Sequence, residues 1–228
     1  MRNNTCILLF SRTAASESKQ KQLLVDDGAN AQLHDVLYRR VVNTVSKSDL
    51  PVLKIDERQQ VGNTFGERFY NAISYAFDQG FDSVIAVGSD CPSLRTVDIQ
   101  YAHQELQFGR LCVGPSADGG VYLIAISKQF FNLSFKQLPW RTDVLAENLF
   151  DLLLGLNAQL TLLAKKLDVD NKTQLNTIAY FLKRQLGIAI PIFSHISLTQ
   201  VPHLLRHHDR LHDNSLSRRG PPSYLKVA

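Results

Sequence analysis

Between two helix-patterned stretches the chain reads Ser83-Val84-Ile85-Ala86-Val87 and then breaks into Gly88-Ser89-Asp90. A strand with no polar face to offer water is covered on both sides, which is the condition of a central strand in a parallel sheet. Parallel neighbours need connections long enough for a helix, and both flanks supply one. Before the run, Thr64 can cap a helix reaching about Phe77, with Phe65, Phe69, Ala72, Ile73 and Ala76 on its inner face. After it, a helix is expected from Ser93 or Thr96 to about Leu106. The same alternation recurs along the chain: strands at 5–10, 51–55, 111–113, 121–126 and 159–163, helices at 30–44, 143–154 and 173–186. Repeated strand-then-helix units predict an α/β protein with a mostly parallel central sheet flanked by helices.

No repeat or linker interrupts this pattern before residue 187, so residues 1–190 are read as one domain and 191–228 as a tail. The tail from His195 onward holds five of the seven histidines, Arg218-Arg219 and the breaker run Gly220-Pro221-Pro222. A short helix over 201–211 followed by disorder is expected there. The net charge of +4 belongs largely to this tail: it carries five Lys/Arg against two Asp, leaving twenty against nineteen in the body. A folded basic surface for nucleic acid is therefore not indicated. No segment approaches the roughly 20 apolar residues of a membrane span. The apolar run at 6–10 is too short for a signal-peptide core, so a cytoplasmic protein without membrane insertion is expected. Cys6 and Cys112 lie in apolar runs and Cys91 in a turn. With no C-x-x-C pair, a zinc ribbon or redox motif is not predicted, and Cys6 and Cys112 read as buried reduced thiols.

Ligands of open parallel sheets bind beyond the carboxyl ends of the strands. After the apolar run come Gly88-Ser89-Asp90-Cys91-Pro92. This leaves one hard oxygen ligand, Asp90, at a strand tip, suited to Mg2+ or Mn2+ carrying phosphate oxygens; the alternative is a plain cap on the next helix. Gly114-Pro115-Ser116-Ala117-Asp118-Gly119-Gly120-Val121-Tyr122 is either a tight hairpin or a close backbone approach to substrate, with Asp118 accepting from hydroxyls. In Leu167-Asp168-Val169-Asp170-Asn171, an extended backbone puts Asp168 and Asp170 on one side. The pair can complete a divalent site, or Asp170 can cap the last helix. Gln60-Val61-Gly62-Asn63-Thr64-Phe65-Gly66-Glu67-Arg68 places glycines before a helix start, where N–H groups favour anions or base edges. The pairs His203/His207 and His208/His212 have metal-ligand spacing but fall in the tail. Dinucleotide, P-loop, nucleophile-elbow and H-E-x-x-H motifs are absent.

Taken in order, Gln60 to Arg68, Gly88 to Leu94, Gly114 to Tyr122, Trp140 to Thr142 and Asp168 to Asp170 resemble a bacterial family of GT-A-fold proteins. Its members are usually labelled glycosyltransferase, and some are linked to arsenosugar biosynthesis. The resemblance spans residues 5–185. It implies a Rossmann-like GT-A fold, related to sugar-nucleotide transferases and to guanylyltransferases of molybdenum-cofactor and deazaflavin-cofactor synthesis. It implies that Asp90 is the metal-binding acid, with Asp168 or Asp170 as the distal acid. Arg12, Gln60, Gly62, Gly66, Arg68 and Ser89 would then border the nucleotide. Gly119, Gly120, Tyr122, Trp140 and Thr142 would face sugar or acceptor, and Asp90 and Asp118 would act in catalysis.

One departure stands out. Family members carry a Gly-containing loop after the first strand ending Lys-Thr-Arg-Leu, where this chain has Gln20-Lys21-Gln22-Leu23. Lys19 and Lys21 are expected to point away from the site. The expected activity is a metal-dependent transfer from a sugar nucleotide to an acceptor. Nucleotidyl transfer from a nucleoside triphosphate is one alternative, and a non-catalytic nucleotide-binding protein is another.

Overall fold

The computed structural model describes residues 4–186 and 226–227. In chain order the elements are β1 (Thr5–Phe10), α1 (Ala14–Gln20), α2 (Asp27–Ser46), β2 (Val52–Ile55), α3 (Phe65–Asp78), β3 (Ser83–Val87), α4 (Thr96–Gln107), β4 (Leu111–Pro115) and β5 (Val121–Ser127). Then follow α5 (Leu145–Gly155), β6 (Leu160–Leu162), α6 (Lys172–Leu186) and a two-residue β7 (Lys226–Val227), with two short 3-10 turns between β5 and α5.

The sheet runs β2-β1-β3-β5-β4-β6-β7. The pairs β2–β1, β1–β3 and β4–β6 are parallel, while β5 runs antiparallel to both β3 and β4. Strands β1, β2, β3, β4 and β6 therefore share one direction, and β5 alone opposes them within that set. The expectation of a mostly parallel sheet flanked by helices holds. Every residue of β1 and β3 is buried, as the unbroken apolar run requires. Helix α3 packs on β1 and β3, and α4 on β3, β4 and β5. Thr64 caps α3 in a reciprocal box with Glu67.

A second, smaller apolar cluster joins Leu23, Leu33, Leu37, Val169, Leu175, Ile178 and Ala179. It fastens the segment before α2 to the segment before α6. That seam lies beside the strand tips and sets the site. Residues 14–20 form a helix that no sequence periodicity predicts. None of its residues is buried, so it carries no apolar periodicity to betray it. The expected helix over 201–211, the tail's expected disorder and the tail histidine pairs lie outside the described residues. The described tail residues Lys226 and Val227 run antiparallel to β6.

Candidate active site at the strand tips

Because β1, β3, β4 and β6 run the same way, their carboxyl ends open onto one edge, where β5 begins. The segments that follow converge there on a cleft of about 630 Å³. Asp90, Asp118, Asp168 and Asp170 all line it, with Arg12, Lys21, Gln60, Arg68, Ser89 and Trp140 around them.

Asp90 folds back over Gly88, where an added Cβ would stand 2.8 Å from its Oδ1. Its carbonyl accepts from Val169 N at 2.9 Å, which ties the β3 tip to the segment after β6. Helix α4 starts downstream at Thr96, and its N-cap residue Arg95 donates its backbone N–H to Asp98 Oδ2 at 2.8 Å. The cap reading of Asp90 thus has no counterpart in the structure. Nor does Asp170 cap α6: Asn171 Oδ1 accepts from Gln174 N at 3.0 Å and fills that role.

What Asp90 and Asp170 do share is Lys21. Its Nζ stands 2.5 Å from Asp170 Oδ1, 2.8 Å from Glu17 Oε1 and 3.4 Å from Asp90 Oδ2. Burial alone would lower the pKa of this ammonium. The carboxylates of Asp90, Asp170 and Glu17 outweigh burial and push it up. This corrects the sequence expectation that Lys21 points elsewhere. The cause is the inner face of α2. Asn30 Nδ2 donates to Lys21 O at 3.1 Å and to Ser18 O at 2.8 Å. Asn30 Oδ1 accepts from Leu23 N at 2.9 Å and Leu24 N at 3.1 Å. His34 Nε2 meets Lys21 O at 2.9 Å. Burial of Leu23 in the small cluster completes the clamp.

Asp168 is only 7% exposed, and its Oδ1 has no hydrogen-bond partner among the described residues. Burial, followed by the nearby charges of Asp90, Asp118 and Asp170, pushes its carboxyl well above the usual range. An orphaned, buried oxygen on a residue that lines a cleft with Asp90, Asp118 and Asp170 is a place where a cation would satisfy the group. The donor set is all oxygen and hard, so Mg2+ or Mn2+ fits it chemically. As the side chains stand, no three His, Cys, Asp or Glu among the described residues are drawn together tightly enough to grip an ion.

The other predicted residues fall into two groups. Arg12, Gln60, Arg68, Ser89, Gly120, Tyr122, Trp140 and Thr142 border the cleft. Some of these are already tethered. Gln60 Nε2 donates to Ser11 O at 3.3 Å, Arg12 reaches Glu17 at 3.4 Å, and Arg68 donates to Asn63 O at 3.1 Å. Tyr122 OH donates to Ala164 O at 3.0 Å, Trp140 Nε1 to Phe135 O at 2.7 Å and Thr142 Oγ1 to Pro139 O at 2.6 Å. Trp140 also packs on Phe65 and Phe69, so it forms a wall of the cleft.

By contrast Gly62, Gly66 and Gly119 are outside the cleft lining, and packing explains each of them. A Cβ on Gly66 would meet Lys136 O at 2.4 Å, and one on Gly119 (φ +87°) would overlap the Asp143 carbonyl. Asp118 serves its own turn, Oδ1 accepting from Ser116 Oγ at 2.5 Å and Gly120 N at 3.1 Å. Its Oδ2 accepts from Gln174 Nε2 at 3.5 Å.

The sequence analysis turns Lys21 away from the site and singles out neither Glu17 nor Glu57. Glu57 accepts from Thr13 N at 2.7 Å and Thr13 Oγ1 at 2.8 Å, pinning the start of α1. The i, i+4 spacing of Glu17 and Lys21 signals their mutual pairing, not its place at the cleft.

The family described as "Uncharacterized protein conserved in bacteria (DUF2064)" matches residues 13–142. No curated protein matches the chain. Among solved structures, a candidate nucleotide-diphospho-sugar transferase from Desulfovibrio desulfuricans G20 is 24% identical, with TM-score 0.67 over 91% of this chain and 96% of that one. That likeness shows the fold alone, an α/β fold with a mostly parallel sheet flanked by helices. Two looser likenesses have TM-scores of 0.45 and 0.41. The first is CMP:2-keto-3-deoxy-manno-octonic acid synthetase complexed with CTP, 12% identical over 80% of this chain and 99% of that one. The second is Rv0371c of Mycobacterium tuberculosis H37Rv complexed with manganese, 15% identical over 75% and 95%.

Proposed function

As a member of the family described as uncharacterized proteins conserved in bacteria, DUF2064, this chain is, we propose, a transferase that binds a nucleotide-activated donor at the strand-tip cleft. The single observation that carries the reading is the orphaned Oδ1 of buried Asp168, set beside Asp90, Asp118 and Asp170 on that cleft. A diphosphate brings negative charge, and carboxylates alone would repel it. A site built this way is chemically sensible when a hard cation joins the two.

Asp90, Asp168 and Asp170 would hold Mg2+ or Mn2+, which supplies charge neutralisation at the diphosphate. The rest falls to the chain. Arg12 and Arg68 bring positive charge to the cleft wall, and Ser89 offers a hydroxyl at the β3 tip. Gln60, anchored to Ser11 O, has an amide oxygen left for a base edge. Asp118, already held by Ser116 and Gly120, orients an acceptor hydroxyl and draws off its proton as the new bond forms. Trp140 and Tyr122 wall the far side and exclude water. A glycosyl group carried by a nucleoside diphosphate is the donor that this arrangement suits, and the acceptor enters beside Asp118 and Gly120.

The test is a panel of nucleotides and nucleotide sugars in thermal shift, with and without manganese, followed by product analysis. At least one nucleoside diphosphate sugar should raise Tm, and more so with manganese. Turnover should release nucleoside diphosphate. Release of pyrophosphate from a nucleoside triphosphate would replace this reading with nucleotidyl transfer. Binding without any turnover would leave a nucleotide-binding protein, and no stabilisation by any member of the panel would remove the donor altogether.

A further inference from the structure

The position that an ion needs beside Asp90 and Asp170 is reached by a side chain of the protein itself. Lys21 Nζ contacts both carboxylates, and it also contacts Glu17. The backbone of Lys21 is fixed through its carbonyl by Asn30 and His34. Only the four-carbon stem is left to move. Asp168 also lines this cleft, and its Oδ1 is buried, unpartnered and not satisfied by the ammonium. A divalent ion and an ammonium cannot both sit against Asp90 and Asp170, because like charges at contact range repel strongly in a partly buried site.

We propose that Lys21 is a built-in cation that competes with the divalent ion for Asp90 and Asp170. The ammonium closes the acid pair while no metal is bound, and an incoming ion must evict it. Glu17 is the parking acid: it sits one helical turn before Lys21, 2.8 Å from Nζ, and is not one of the ligands assigned to the metal. The evicted ammonium keeps this partner, so eviction does not strand a buried charge. Competition then sets metal affinity, and the chain discriminates against weakly held cations that cannot displace its own.

This inference rests on the metal half of the proposed function. Its test uses manganese alone, titrated calorimetrically into the full chain, so a protein that binds no nucleotide would defeat the donor reading and leave the competition standing. Lys21→Met keeps the stem and removes the charge. It should bind manganese at least about tenfold more tightly than the unmodified protein, a modest share of one contact-range repulsion. Glu17→Gln removes the parking acid and leaves the ammonium committed to Asp90 and Asp170. It should bind manganese more weakly, and it keeps the proposal testable if Lys21→Met fails to fold. Unchanged or weaker binding in a folded Lys21→Met variant would overturn the proposal. So would an unchanged affinity in Glu17→Gln, or no manganese binding in any of the three proteins.

Discussion

Asp90 and Asp168 line the same cleft in opposite circumstances. Asp90 is half-exposed and paired with Lys21, while Asp168 is buried with an unpartnered oxygen. One is approachable and the other is waiting, and an ion touching both would resolve the orphan. Manganese and nucleotide should therefore bind cooperatively, each raising the other's affinity by one factor. Asp90→Asn keeps the shape and the backbone bond to Val169, so the fold should survive while the manganese enhancement of nucleotide binding disappears. Calorimetric titration of nucleotide with and without the metal measures this. Full enhancement in the variant would move the metal away from Asp90. Asp118 makes a separate case. An amide oxygen can accept from Ser116 and Gly120 as the carboxylate does, so Asp118→Asn should fold and bind donor normally. Transfer should fall by about a hundredfold, the lower range for losing a general base. Undiminished turnover would return Asp118 to its turn.

Among the elements, α1 and the segment behind it are where sequence and structure part. Strand β3 and helix α3 were legible because burial writes a period into the sequence: unbroken for β3, helical for α3. Helix α1 buries nothing, so no period exists to read. The direction of Lys21 was illegible for a different reason. It is decided by Asn30 and His34, nine and thirteen residues later, and by the cluster that brings Leu23 against Val169. The acids themselves could be found, because each follows a readable strand. Their cation could not, because its placement is tertiary. The clamp is also a stability element. Asn30→Ala would strand the N–H groups of Leu23 and Leu24 together with the carbonyls that Asn30 serves. That should cost about 2–3 kcal/mol and lower Tm by roughly 5–10 °C. A thermal melt checks it. A variant melting within a degree of the unmodified chain would show that His34 and Leu23 suffice.

Across the whole molecule, one buried ion pair joins the segment after β6 to the start of α4. Lys166 and Asp98 lie 3.0 Å apart, with side chains only 9% and 7% exposed. Lys166 also donates to Ser93 O at 3.1 Å, close behind Asp90. Burial would raise the Asp98 carboxyl, but Lys166 and then Arg95 outweigh it and hold it below the usual range. A depressed carboxyl contributes stability that is fully present above its unfolded value, about 4. That contribution is lost as pH falls through the lower folded value. Lys166→Met should cost about 3–5 kcal/mol at neutral pH, because it leaves Asp98 buried without its main partner. It should also flatten the fall in stability below about pH 4. Urea unfolding at neutral pH and along an acid series reads both effects. A variant as stable as the parent, with the same acid limb, would show that the pair is not a structural tie.

Strand β5, the one that opposes its neighbours β3 and β4, has an evolutionary corollary. Parallel neighbours are joined by crossovers whose helices are part of the core, so those connections cannot be redrawn without redrawing the protein. The β4–β5 connection is only the short turn at 116–120, and it opens directly onto the cleft. Lengthening a surface turn costs little, since closure entropy grows only with the logarithm of loop length. Descendants of this architecture can therefore diversify what they accept by grafting residues at the exposed Ala117, while the buried Ser116, the close-packed Gly119 and the Asp90 side stay under the constraint of the core.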